Sequence, residues 1–374
     1  MSPTSRDRGR TALAGALLAA LLALVTSCSA GGGDDDRASK CPDTALTCGP
    51  STASPTAAGP SAGGTTTGQA TTGSPATSSS GTTGPAATAG PSGASTKQRA
   101  AGACASPSDC GFPDASTTGP RIPMTRHDVG AMSIRTDGQV IRGWDITGSL
   151  DVYANDVTVI DSRITSANWW GINLRSGFHG LRILHTVITA VPGKGPDNGG
   201  VDYAVSNMGS SSVEVGWCDV SVYGDALSMG QGNLHDNYVH DIRPFRNLGG
   251  EWQHTNAVIS NGGNSGHLII RHNTLLNPTG VSQGASASIG LFADTGVVKN
   301  ATVDHNWLAG GAYALYGGGE GATGIQVTGN VFSRQYHPAS GGYGVVAAWN
   351  ATGAGNVWTD NRMSDGTSIA PEAS

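Results

Sequence analysis

The side chains with chemical potential in this chain are two aspartates, a histidine and a loop of guanidinium groups. Asp202 in Val-Asp-Tyr-Ala, Asp225 in Gly-Asp-Ala-Leu and Asn256 in His-Thr-Asn-Ala each open a short apolar run. Aligned on those runs they fall at equivalent places. If the runs stack as neighbouring strands, the two carboxyl groups stand about 5 Å apart. Carboxylates that close cannot both ionise freely, so one pKa rises. A raised and an ordinary carboxyl form an acid/base pair suited to glycosidic cleavage. The same pair could hold Ca²⁺, a hard cation that prefers oxygen ligands, or could simply cap its strands, so the need for a cofactor stays open. His254, two residues before Asn256, can serve as a general base near neutral pH or merely bond its loop.

Binding groups lie beside these. Arg243-Pro-Phe-Arg246 is followed by Glu251-Trp252-Gln. Arginine grips sugar carboxylates with two parallel hydrogen bonds, and an indole offers a flat apolar face to a sugar ring. Lys194 and Asp197, on the preceding long loop, could reach the same place. The candidate catalytic residues are therefore Asp202, Asp225 and His254. The candidate substrate-binding residues are Arg243, Arg246, Trp252, Lys194, Glu251 and Asn256. The expected ligand is a polysaccharide, the arginines favouring an acidic one. Tyr313, Tyr316 and Tyr343 open later runs and either extend this surface by stacking or pack against loops.

A repeat must position these groups. From His267 to Asn277 the chain reads apolar, two polar residues, Asn, one residue, apolar. The pattern returns as Leu234…Asn237…Val239, Ile270…Asn273…Leu275, Val303…Asn306…Leu308, Val327…Asn330…Phe332 and Trp358…Asn361…Met363. Trp144, Ser162, Thr186 and Cys218 stand at the Asn place in earlier copies. The intervals from 144 to 361 are 18, 24, 32, 19, 36, 33, 24 and 31 residues. A fixed turn with loops of variable length is the mark of a solenoid. Each copy reads as a β run, a two-residue turn and a second β run, with a third run before it. Asn is expected at the bend itself, because it tolerates a left-handed backbone, and its amides are expected to bond from rung to rung. The prediction is an all-β, right-handed parallel β-helix of about nine coils. His272 and His305, with Asp161, Asp236 and Asp360, precede ladder positions and read as the polar outside of the turn rather than a metal row. The longest loops, Ala190–Val201, Arg243–Thr255 and Asn277–Ser288, fall on consecutive coils and should frame one cleft.

This architecture resembles the pectate-lyase-like β-helix superfamily over about residues 130–365. The resemblance implies a polysaccharide ligand and lyase or hydrolase chemistry. In proteins of that kind the segment matching His254-Thr-Asn-Ala often reads His-Thr-Asp-Gly. Here Asn256 and Ala257 replace Asp and Gly, and an amide cannot act as an acid or carry a metal's countercharge. The superfamily's Arg, one residue, Pro, two residues, Arg pattern is also not reproduced, since Pro244 follows Arg243 directly. A non-catalytic glycan-binding or structural surface module is therefore the rival expectation.

Composition bounds the rest. The 374 residues carry only 13% charged side chains, 57 glycines and a net charge of −6. With no long Lys/Arg run, nucleic acid is not an expected partner. Residues 1–28 read as a lipoprotein signal: Arg6, Arg8 and Arg10, then the apolar Thr11–Leu24, then Val25-Thr26-Ser27-Cys28. This resembles the bacterial lipobox, which implies lipid on Cys28, export, and contact with the membrane through that lipid alone. Residues 29–103, almost wholly Gly, Ala, Ser, Thr and Pro from Ser51 to Ser95, are expected to be a disordered linker. Residues 104–129 are expected to cap the first rung, 130–365 to form the helix and 366–374 to be a loosely ordered tail. A monomer is expected. Cys41 with Cys48 and Cys104 with Cys110 are disulfide candidates in an exported chain, and Cys218 reads as a buried packing thiol.

Overall fold

The computed structural model of the chain describes residues 103–207 and 211–371. Cys28, Cys41, Cys48 and the linker up to residue 102 lie outside the described residues. The rest is a right-handed parallel β-helix. Each coil carries three short strands, and among the described residues the strands of neighbouring coils pair in parallel, as in Val213–Gly216 against Gly232–His235 and Asp219–Ser221 against Tyr238–His240. One stack runs through nine strands, from Val140–Arg142 to Val357–Thr359. The other two stacks are joined at the long strand Trp144–Val152. Its first half pairs with Arg163–Ser166 and its second half with Trp170–Leu174.

Register turns the sequence repeat into core. Ile183, Val215, Leu234, Ile270, Val303 and Val327 lie in one column, one residue per coil, and all are 0% exposed. Full burial of each such side chain stabilises by roughly 1.5–3 kcal/mol. Beside this column runs a buried ladder of carboxamides. The backbone N–H and Nδ2 of Asn273 both donate to Asn306 Oδ1, at 3.0 and 2.9 Å. Asn237 does the same to Asn273, Asn306 to Asn330, and Asn330 to Asn361. Each Nδ2 also donates to a carbonyl of the preceding coil, for example Asn306 to Ile270 O at 2.8 Å. Toward the N-terminus the ladder continues through smaller groups: Cys218 N–H donates to Asn237 Oδ1, and Thr186 Oγ1 to Leu184 O.

The left-handed residue at this corner is not the Asn but its predecessor. Positive φ falls on Asp161, His185, Trp217, Asp236, His272, His305, Gly329 and Asp360. The bend is made one residue early, which leaves the Asn free to aim its amide along the column. The outward His and Asp side chains bond one another, as in His272 Nδ1 to Asp236 Oδ1 at 2.6 Å. Cys218 is fully buried, and burial pushes its thiol up to about 12, which leaves it inert packing.

The segment before residue 125 does not cap the first rung. It runs as a strap along the side of the rod, from the last coil back to the first. Cys104 N–H donates to Ser364 O, Thr274 Oγ1 to Pro113 O, and Gly119 N–H to Trp217 O. Arg121 then grips the buried Asp161 through Nε and Nη2 at 2.8 and 3.0 Å. Phe112 is buried against Leu276, Trp307 and Val331, and a disulfide joins Cys104 to Cys110. The first rung is covered instead by Thr125–Ile134, which pairs with Trp144–Val152. The tail also differs from expectation. Met363 N–H donates to Thr367 O, and Ile369 N–H to Asn361 O, so residues 366–369 fold back over the last coil. Open apolar ends such as Trp358 and Met363 need that cover.

Replacing Asn306 with Ala would leave two buried donors of Asn273 without an acceptor. Each such group costs about 1–3 kcal/mol. The denaturant midpoint of Asn306→Ala should therefore fall well below that of Thr186→Ala, whose hydroxyl bonds only within its own coil.

Candidate functional site

Two of the three long loops meet at one corner of the rod, after Val187–Ala190 and after Tyr238–His240. Leu248 N–H donates to the buried Asp197 Oδ1 at 2.6 Å, and Asn198 Nδ2 to Asn247 O at 2.6 Å. The second loop doubles back on itself. Arg246 and Trp252 form an antiparallel bridge, Gln253 N–H donates to Phe245 O, and Gly250 makes the turn at φ +86°. Between the loops lies a cleft of about 540 Å³, lined by Val191, Pro192, Asn198, Arg243, Phe245 and Trp252 among others. The Arg246 guanidinium lies 4.6 Å from the centre of the Trp252 ring, and its Nη1 donates to Gly250 O at 2.7 Å. The indole and the main chain thus hold that cation in place, with donors to spare.

Three of the expected binding residues, Arg243, Arg246 and Trp252, line this cleft. Lys194 and Glu251 are exposed on the same two loops but outside the lining. The third loop does not line the cleft. It backs it: a side chain at Gly284 would stand 3.3 Å from Trp252 Cβ, and Thr255 N–H donates to Gly284 O. Phe245 was not singled out by sequence. Its ring lies against Gly200 and Gly224, where an added Cβ would fall 2.1 and 2.7 Å from it. The paired glycines opposite one aromatic were the only sequence signal for this contact.

The acids are placed differently from the alignment. Asp225 pairs with Asn256 on one side but with Tyr203, not Asp202, on the other. Asp202 therefore stands one residue out of step, because the preceding loop delivers its strand one residue late. Asp202, Asp225 and Asn256 are all buried, and none lines the cleft. Asn256 Nδ2 donates to Asp225 Oδ1 at 2.8 Å. Burial raises the Asp225 carboxyl to about 7, while the Asn256 amide pulls it down. Asp225 thus keeps its proton below about pH 7, and its partner is an amide. His254 is exposed on the edge beyond the cleft lining. Among the described residues no group of three or more His, Cys, Asp or Glu side chains is placed to hold a metal ion.

The Asp225 shift makes a testable pH profile. An acid whose folded pKa exceeds its unfolded value of about 3.9 stabilises the fold least at high pH. Between about pH 4 and 7 the unfolded chain gives up this proton while the folded chain, with Asp225 at about 7, retains it, so stability falls as pH rises. Asp225→Asn cannot ionise. It should lose that slope and exceed the parent at pH 8 by a few kcal/mol, read from urea midpoints across the range. Comparisons with protein-family models, with curated proteins and with solved structures find no match for this chain.

Proposed function

We propose that this chain is an exported surface protein, anchored by lipid on Cys28, whose β-helix binds an acidic polysaccharide in the corner cleft. The observation that carries the reading is the Arg246 cation stacked on Trp252 with Arg243 in the same 540 Å³ cleft. A guanidinium held over a half-buried indole suits a uronate ring, which presents a carboxylate and an apolar face together. The parallel β-helix, which resembles the pectate-lyase-like superfamily, agrees with a glycan ligand, although one fold serves many functions.

Cleavage is the second reading, and one observation favours it. A carboxyl held near 7, as Asp225 is, could donate a proton to a leaving sugar oxygen at neutral pH. It lies beneath the segment carrying Phe245, so turnover requires that segment to lift. Asp202 and His254 would act with it as second acid and base.

With the full chain, uronate oligosaccharides should bind, and Arg246→Ala or Trp252→Ala should each weaken binding about tenfold or more. Arg246→Lys should not restore it, because a point charge cannot make the paired bonds, and salt should weaken it. Unchanged affinity in both Ala variants would remove the cleft from the reading. Absorbance of unsaturated products, or new reducing ends lost in Asp225→Asn, would establish cleavage. Metabolic labelling with a palmitate analogue should mark the parent and not Cys28→Ser.

A further inference from the structure

Beyond the cleft, the same edge of the rod carries a second built surface. Phe292, Tyr313, Tyr316 and Tyr343 form one contiguous aromatic cluster. Phe292 and Tyr316 lie 4.9 Å apart, Tyr316 and Tyr313 5.5 Å, and Tyr313 and Tyr343 5.9 Å, all tilted or edge-on. Glycines seat the rings. A side chain at Gly290 would collide with the Phe292 ring at 2.1 Å, and one at Gly344 would stand 3.2 Å from the Tyr313 ring. Tyr316 falls between Gly290 and Ala347 in register, so small residues flank it on both neighbouring coils.

The cluster faces outward. Tyr343 is 67% exposed, the largest exposure among the large hydrophobic side chains of the described residues. Burial raises the Tyr316 phenol, and the Tyr313 and Tyr343 phenols raise it further, so the three hydroxyl groups share one neighbourhood. The three strands beneath, Ala285–Leu291, Tyr313–Gly317 and Gly344–Ala347, contain no charged residue. Register places the platform two coils beyond the strand that follows the second cleft loop. Asn256 pairs with Ala287 and Ile289 with Leu315, so Tyr313 continues the row of Asn256 two coils further on. Two rungs are about 10 Å, the scale of a short oligosaccharide.

We propose that Tyr313, Tyr316 and Tyr343 form a stacking subsite for the uncharged pyranose rings of a polysaccharide lying along this edge. Exposed aromatic faces take the apolar faces of sugar rings, phenol hydroxyls take their hydroxyl groups, and the lack of charge selects neutral units. The polymer's continuity with the cleft rests on the function proposed above; the platform itself does not need the arginines. The surface therefore suits a chain in which neutral and acidic sugars alternate or follow in blocks.

The test uses the full chain, with β-1,4-linked glucose and xylose hexasaccharides as neutral probes and a uronate hexasaccharide as the acidic one. Calorimetry should show neutral binding that Tyr343→Ala and Tyr313→Ala each weaken about tenfold. Tyr343→Phe should keep most of it, and Val140→Ala, at an exposed apolar residue of the nine-stranded stack away from both surfaces, should leave it unchanged. Circular dichroism and light scattering check that each variant stays folded and does not change its association. If neutral probes bind but the uronate does not, the cleft reading fails and the platform stands. If the uronate alone binds, or Tyr343→Ala binds neutral probes as the parent does, the platform is refuted. A change in oligomeric state without a change in sugar affinity would instead make this face a contact between copies of the chain, and would also overturn it.

Discussion

The rod depends on a column of carboxamides sealed inside one corner. Each amide oxygen accepts two hydrogen bonds from the coil before it, and each amide nitrogen returns donors to that coil. Water cannot reach these groups, since Asn273, Asn306 and Asn330 are 0% exposed, so any misalignment would strand buried donors. The column therefore fixes which coil lies on which, and with it the register of every strand that follows. Loops may differ in length by many residues without disturbing it, because the amides, not the loops, set the phase.

This is also why the architecture could be read in the sequence while the site could not be read in full. The Asn spacing and the apolar residues flanking it are the physical constraint itself, visible as letters. The bend is a different matter. Its left-handed residue is Asp, His, Trp or Gly from coil to coil, so composition hides it, and the more regular Asn drew the assignment one place too far. The third stack has no amide column of its own. Its start is set by corner loops of unequal length, so an alignment on local pattern placed Asp202 level with Asp225 where Tyr203 stands. The strap from Cys104 to residue 124 has neither periodicity nor strand content, and its place is fixed by isolated anchors such as Arg121 on Asp161.

At the site, loops were legible and contacts were not. Loop length pointed to Arg243, Arg246 and Trp252, which the fold gathers in one cleft. The acids needed knowledge of what covers them. Phe245 packs on Gly200 and Gly224, the residues next to or near Asp225 and Asp202, and a carboxyl shut away in that manner is a different chemical object from an exposed one. A sequence names the carboxyl; only packing decides its proton.

The strap has a mechanical consequence. It begins beside Ser364, so the polypeptide joins the domain at the end where the domain also finishes. Any tension arriving from the N-terminal side meets the last coil first. Anchors would yield singly, from Ser364 toward Gly143, rather than sharing the strain. The nine coils would stay wound while the strap peeled, because their own bonds lie across that path. The cleft sits among the middle coils, roughly 20 Å from the attachment end at 4.8 Å per rung, so the protein's own later coils act as a spacer between that end and the cleft.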